Sequence, residues 1–232
     1  HPMRPMSFDK QIAKKSDQRQ METWQRVGVY AAGLALTEAG IAGNAELLDH
    51  TDMIISASGG ERDIAVDTAI LTGMRKAQHP GAFLNEHLMS DLRPTLFLAQ
   101  LPNMLAGNIS LVHGVVGASR TFLGEEAAGL DAVRIAQARI ATGQSEMALV
   151  GGAYHGARWD ALINIELSGI LLKPPFAPVW DRGPKGGVAL ATMAAFLVLE
   201  SRDHARARGV RPRARIGQVF SDARARQPGE IE

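Results

Sequence analysis

Strand-length apolar runs alternating with helix-length amphipathic stretches predict an α/β protein built on a largely parallel sheet. Two observations carry this. DMIISA (52–57) and EMALV (146–150) are short continuous apolar runs, each followed within a few residues by a glycine pair, as expected of strands buried on both faces. Residues 16–40, 62–76 and 126–142 space their apolar side chains at helical intervals.

Taken in order, Ser16-Asp17-Gln18 is a helix start. Met21, Trp24, Val27, Val29, Ala31, Leu34 and Leu36 then follow near helical spacing, and Gly40 supplies a stop. Residues 52–57 form a buried strand that ends in the turn Ser58-Gly59-Gly60. The stretch 62–76 predicts a second helix, interrupted at His79-Pro80-Gly81. Residues 95–112 are apolar, and Pro102 leaves strand and helix both open there. VVGASRTFL (115–123) suits a strand. Residues 126–142 suit a helix with Ala127, Leu130, Ala132, Val133, Ala136 and Ile140 on the apolar side and Gly143 as its stop. The strand 146–150 is punctuated by Gly151-Gly152. The run 188–200 ends in the strand-like FLVLE. A basic segment, 201–215, predicts a short helix broken at Gly209 and leading to a further strand at 213–220.

The 232 residues carry 25 basic and 24 acidic side chains, a net charge of +1, so nothing in the balance calls for nucleic acid or a membrane surface. No apolar run is long enough for membrane insertion, and the opening HPMRPMSFDKQIAKK has no signal-peptide core, which makes a cytoplasmic protein the default expectation. There is no cysteine, which rules out disulfides, thiolate metal ligands and thiol catalysis by these residues. No pair of the seven histidines has i,i+4 spacing, and neither a metal nor any other cofactor is expected. Gly183-Pro184-Lys185-Gly186-Gly187 lacks the spacing of a phosphate loop and reads as a simple loop. Ser58-Gly59-Gly60-Glu61 lacks G-x-G-x-x-G and reads as a turn. Ser119 is not in G-x-S-x-G and belongs to its strand.

The stretch LAGNISLVHGVVGASRTFLGEEAAGLDAVRIAQARIATGQSEMALVGG (105–152) resembles the core of the β-ketoacyl-[acyl carrier protein] synthases. In that family G-P-S-x-x-x-x-T-A-C-[ST]-[ST]-G leads from a strand into a buried helix, and the Cys carries the acyl group. Glu126 stands at the Cys position, nine residues after Gly117 and three before Gly129. Further matches follow in order. Residues 17–41 resemble the family's early helix, Leu101-Pro102-Asn103-Met104-Leu105-Ala106-Gly107-Asn108 resembles N-M-x-A-G-x-[IL], and Met147–Ala153 resembles V-x-[VA]-G-G-[AT]. Pro178, Trp180 and Asp181 resemble R-P-[FW]-D, and Leu197-Val198-Leu199-Glu200 resembles L-V-L-E. Three further elements depart. The family's G-F-V-x-G-E-G-A is Gly187-Val188-Ala189-Leu190-Ala191-Thr192-Met193-Ala194 here, and the downstream histidines, one in H-G-T-G-T, and the opening V-V-[IV]-T-G-[LM]-G strand have no counterpart.

The resemblance implies a thiolase-like fold whose mixed, mostly parallel sheet is covered by helices. It also implies a piece of a longer protein, with the first half reaching to about residue 180 and the second beginning at about 181. A residue at the first turn of the buried helix meets unpaired N–H groups and the positive end of the helix dipole, which suits a thiolate or an oxyanion. A carboxylate is satisfied there but is a poor acyl carrier, since a mixed anhydride is a bad resting intermediate. The expectation is therefore a non-condensing protein of fatty acid biosynthesis that works as partner subunit to an active synthase. The alternatives are a malonyl-carrier decarboxylase and a non-enzymatic carrier-protein binder. The implied partners are an acyl carrier protein and either a Cys-containing paralogue or a second copy, paired through the strand at about 115–123. Arg206, among Arg202, Arg208, Arg211, Arg213 and Arg215, and Arg19, near Lys14 and Lys15, are candidates for carrier docking.

Overall fold

The computed structural model describes residues 3–60, 62–124, 127–184 and 186–221. Helix α1 spans Lys15–Gln20 and α2 spans Thr23–Glu38, so the single helix expected over 16–40 is two. The break follows from Met21, which turns into the core, and from Glu22, which caps α2 reciprocally with Gln25. Helix α3 (Ala45–Asp49) leads into β1 (Thr51–Ala57), then α4 (Ile64–Met74) and α5 (Pro80–Ser90) follow, with Pro80 at the first turn of α5. Helices α6 (Leu96–Gln100) and α7 (Met104–His113) settle the open stretch around Pro102 as helix–turn–helix. Strand β2 (Ser119–Leu123) is the C-terminal half of the expected 115–123, and α8 (Ala128–Ala141) follows it. Then come β3 (Met147–His155), α9 (Trp159–Leu167), a short 3₁₀ turn at Val179–Asp181, β4 (Thr192–Glu200) and α10 (Arg202–Ala207).

The four strands form one sheet in the order β2-β1-β3-β4. The pairs β1–β2 and β1–β3 are parallel, and β3–β4 is antiparallel. The α/β class and the mixed, mostly parallel sheet expected from the sequence are present. Helices α2 and α7 bury one face of the sheet around Trp24, Val29, Leu36, Leu105, Ile109 and Leu149. Helix α8 covers the other face, with Ala132 and Ala136 against Ile54, Ala148 and Val150. Among the described residues no helix is long and apolar enough to cross a membrane.

Three local expectations are corrected. Gly151-Gly152 does not end β3 but lies inside it, because a Cβ at Gly152 would collide with Ser56 of β1 and one at Gly151 with Ala195 and Phe196 of β4. Leu130 faces solvent rather than the sheet, since the alanines 128, 132 and 136 are the face that approaches it. No strand forms over 213–220. Arg213 pairs with Glu38, and the Gly217 carbonyl accepts from Gln137, so side chains hold this segment in place of a ladder.

Candidate functional site

The parallel strands β1, β2 and β3 all end at one edge of the sheet, where open α/β sheets place their sites. Ala57, Leu123 and His155 close the strands there, and α8 begins at Ala128, five residues beyond the end of β2. Glu126, the residue at the expected nucleophile position, lies outside the described residues together with Glu125. The flanks are described. Ala128 is buried, and the approach of α8 to the sheet through small side chains continues at Ala132 and Ala136. His155 is the last residue of β3 and is half-buried, paired in register with Thr192 of β4.

Two further features lie at this edge. Arg158 donates from Nη1 to the Gly59 carbonyl (2.8 Å) and from Nε to Asp160 (2.9 Å), tying the loop after β1 to the start of α9. Its guanidinium holds the Asp160 carboxyl below the usual carboxylate range against an opposing effect of burial. The Thr192 hydroxyl is buried without a hydrogen-bond partner among the described residues. Thr192 sits where the sequence loses the glycine-acid-glycine turn. That departure was visible beforehand, whereas Arg158 follows no pattern that sequence reading could have used.

The basic candidates are dispersed. Arg19 is exposed on α1, and Arg206 is exposed on α10 beside Asp203 at 3.7 Å. Arg208 is withdrawn from the surface patch: Nε bonds Glu200 (2.8 Å) and Nη2 the Ala39 carbonyl (3.1 Å). Arg213 is engaged by Glu38. Lys15 pairs with Asp9, whose carboxyl Lys15, Gln18 and Ser7 together lower to about 2. Among the described residues no group of three or more His, Asp or Glu side chains is arranged to hold a metal ion.

The 3-oxoacyl-[acyl-carrier-protein] synthase 2 of Vibrio cholerae is 25% identical over 215 residues, covering 90% of this chain and 49% of its own length. The protein of the same name from Vibrio harveyi is 26% identical over 202 residues, covering 85% and 46%. The chain thus spans just under half the length of these curated relatives. A crystal structure of a β-ketoacyl synthase from Burkholderia phymatum superposes with a TM-score of 0.69 at 25% identity, over 90% of this chain and 49% of that one. A type II polyketide synthase acyl-carrier protein in complex with its ketosynthase gives 0.66 at 21% identity, covering 90% of this chain and 54% of that one, which bears on the fold alone. The family model described as "Beta-ketoacyl synthase, N-terminal domain" matches residues 3–205. On that match, which takes in well over half of its residues, the chain belongs to the β-ketoacyl synthase family.

Proposed function

We propose that this chain is a non-condensing member of the family that works beside a Cys-bearing β-ketoacyl synthase paralogue and an acyl carrier protein in fatty acid or polyketide synthesis. The observation that carries the reading is the absence of any thiol from 232 residues of a family whose resemblance puts the acyl-accepting Cys at position 126. Glutamate there has the size and shape of the amide found in inactive partner subunits, and it forms no stable acyl adduct. In this reading residues up to about 180 correspond to the first half of the thiolase-like fold and those from about 181 begin the second. The partner surface is β2, which the sheet order leaves as an edge. Arg19 and Arg206 are assigned to the acidic carrier protein on exposure and charge, so carrier binding should weaken with salt.

Co-expression with a Cys-bearing paralogue, followed by sizing with light scattering and acyl labelling, tests the reading. The expected result is a one-to-one complex in which label appears on the paralogue's thiol and not on this chain. A stable monomer that ignores the paralogue overturns it. Release of carbon dioxide from a malonyl carrier by this chain alone, abolished by Glu126→Ala, would replace it with a decarboxylase.

A further inference from the structure

Strand β2 lies at the edge of the sheet and its own side chains define its register poorly. Its five residues are Ser119, Arg120, Thr121, Phe122 and Leu123, of which Ser119, Arg120 and Leu123 are exposed. A clean alternation of apolar and polar faces is what normally resists a slip of one residue. Here only Phe122 packs on a core cluster, the one beneath α8. The register observed is nonetheless continuous, from Met53↔Ser119 to Ala57↔Leu123.

We propose that Asp52, held by Arg139, is the pin that sets this register. Asp52 Oδ1 accepts the amide of Ala118 (3.1 Å), and the amide of Met53 donates to the carbonyl of the same residue (2.9 Å). Both polar groups of Ala118, the residue immediately before β2, are thereby fixed to β1. Asp52 Oδ2 receives Nε and Nη2 of Arg139 on α8 (3.1 and 3.0 Å), and Arg139 Nη1 donates to Gln144. One buried carboxylate thus joins the starts of β1 and β2 to the end of α8. Gly117 completes the seat, since a Cβ there would collide with the Thr51 carbonyl. A buried carboxylate needs such partners to be tolerated, and an apolar residue would serve the packing of β1 alone.

The register decides what the edge presents. Ser119 and Thr121 face an open groove of about 620 Å³ lined also by Met53, Ala106, Ser110 and Val115, while Arg120 and Phe122 project to the opposite face. A slip of one residue would exchange the two sets. Asp52 and Arg139 are therefore a positioning pair for the edge that a partner strand would meet. The partner half of this inference rests on the function proposed above; the register half does not.

Hydrogen exchange followed by mass spectrometry on the intact chain tests the pin, comparing Asp52→Asn, Arg139→Met and Arg139→Lys with Glu200→Gln. Glu200 bonds His204 and Arg208 away from β2, so its variant is a control for general destabilisation. Asp52→Asn and Arg139→Met are expected to lose about tenfold more protection at 119–123 than at β3 or β4, with Arg139→Lys intermediate and Glu200→Gln sparing β2. Equal loss across the sheet, or none at β2, overturns the proposal. Asp52→Asn should also weaken binding to the Cys-bearing paralogue about tenfold, at temperatures where the variant stays folded. Unchanged affinity with a loosened β2 overturns the partner half. If the parent chain binds no paralogue, the proposed function fails, while exchange still decides the pin.

Discussion

His113 closes α7 half-buried, with Nε2 donating to the Val29 carbonyl at 2.9 Å. Burial pushes its pKa below the ordinary 6.5, and the hydrogen bond opposes that only in part. Between the lowered value and 6.5 the unfolded chain binds a proton that the folded chain does not, so stability is present above this window and declines as pH falls through it. Urea midpoints measured across the window should fall with pH in the parent chain and fall less in His113→Gln. Parallel curves for the two would show that His113 does not drive the acid sensitivity. Arg158 acts on the same scale at the other edge of the sheet, where one side chain couples the loop after β1 to α9.

Helix α8 is where the choice of small residues matters most. Ala132 and Ala136 are fully buried against Ile54, Ala148 and Val150, so the helix lies close to the sheet with no room for a longer side chain. Ala132→Leu should therefore destabilise the protein by about 1–3 kcal/mol through overpacking. Leu130→Ala, on the exposed side of the same helix, should stay within roughly 0.5 kcal/mol of the parent. Denaturant titration of both variants checks this, and equal costs would mean that α8 packs by a different face. The same logic explains β3. Its glycine pair is a turn signal by composition, but two neighbouring strands press on that backbone and keep it extended.

Across the whole molecule, α9 and the loop after it leave large apolar groups uncovered. Trp159, Leu167 and Trp180 are 70%, 81% and 93% exposed, and Met193 and Leu197 of β4 are also exposed. Joined into one patch, these side chains would mark a surface that other protein covers or that self-associates. The folded chain should enhance the fluorescence of a hydrophobic dye without loss of its secondary structure, and Trp159→Ser with Trp180→Ser should reduce the signal. Dye binding only on unfolding would show that these side chains form no continuous patch.

Much of this was legible in the residues themselves. The cores of β1, β3, α2 and α8 follow from local periodicity, because burial of a strand or a helix face leaves its mark within a few residues. The absence of a thiol is a fact of sequence alone, and the assignment of Glu126 to the position of the family's Cys is what the resemblance implies. What periodicity could not supply came from groups far apart in the chain. Asp52 meets Ala118 and Arg139 across 66 and 87 positions. Arg158 meets Gly59 across 99. The division of the helix expected over 16–40, the glycines kept inside β3 and the missing strand at 213–220 were likewise decided by neighbours. Local propensity proposes an element, but its ends, its exposed face and its register depend on which surfaces the folded chain brings against it.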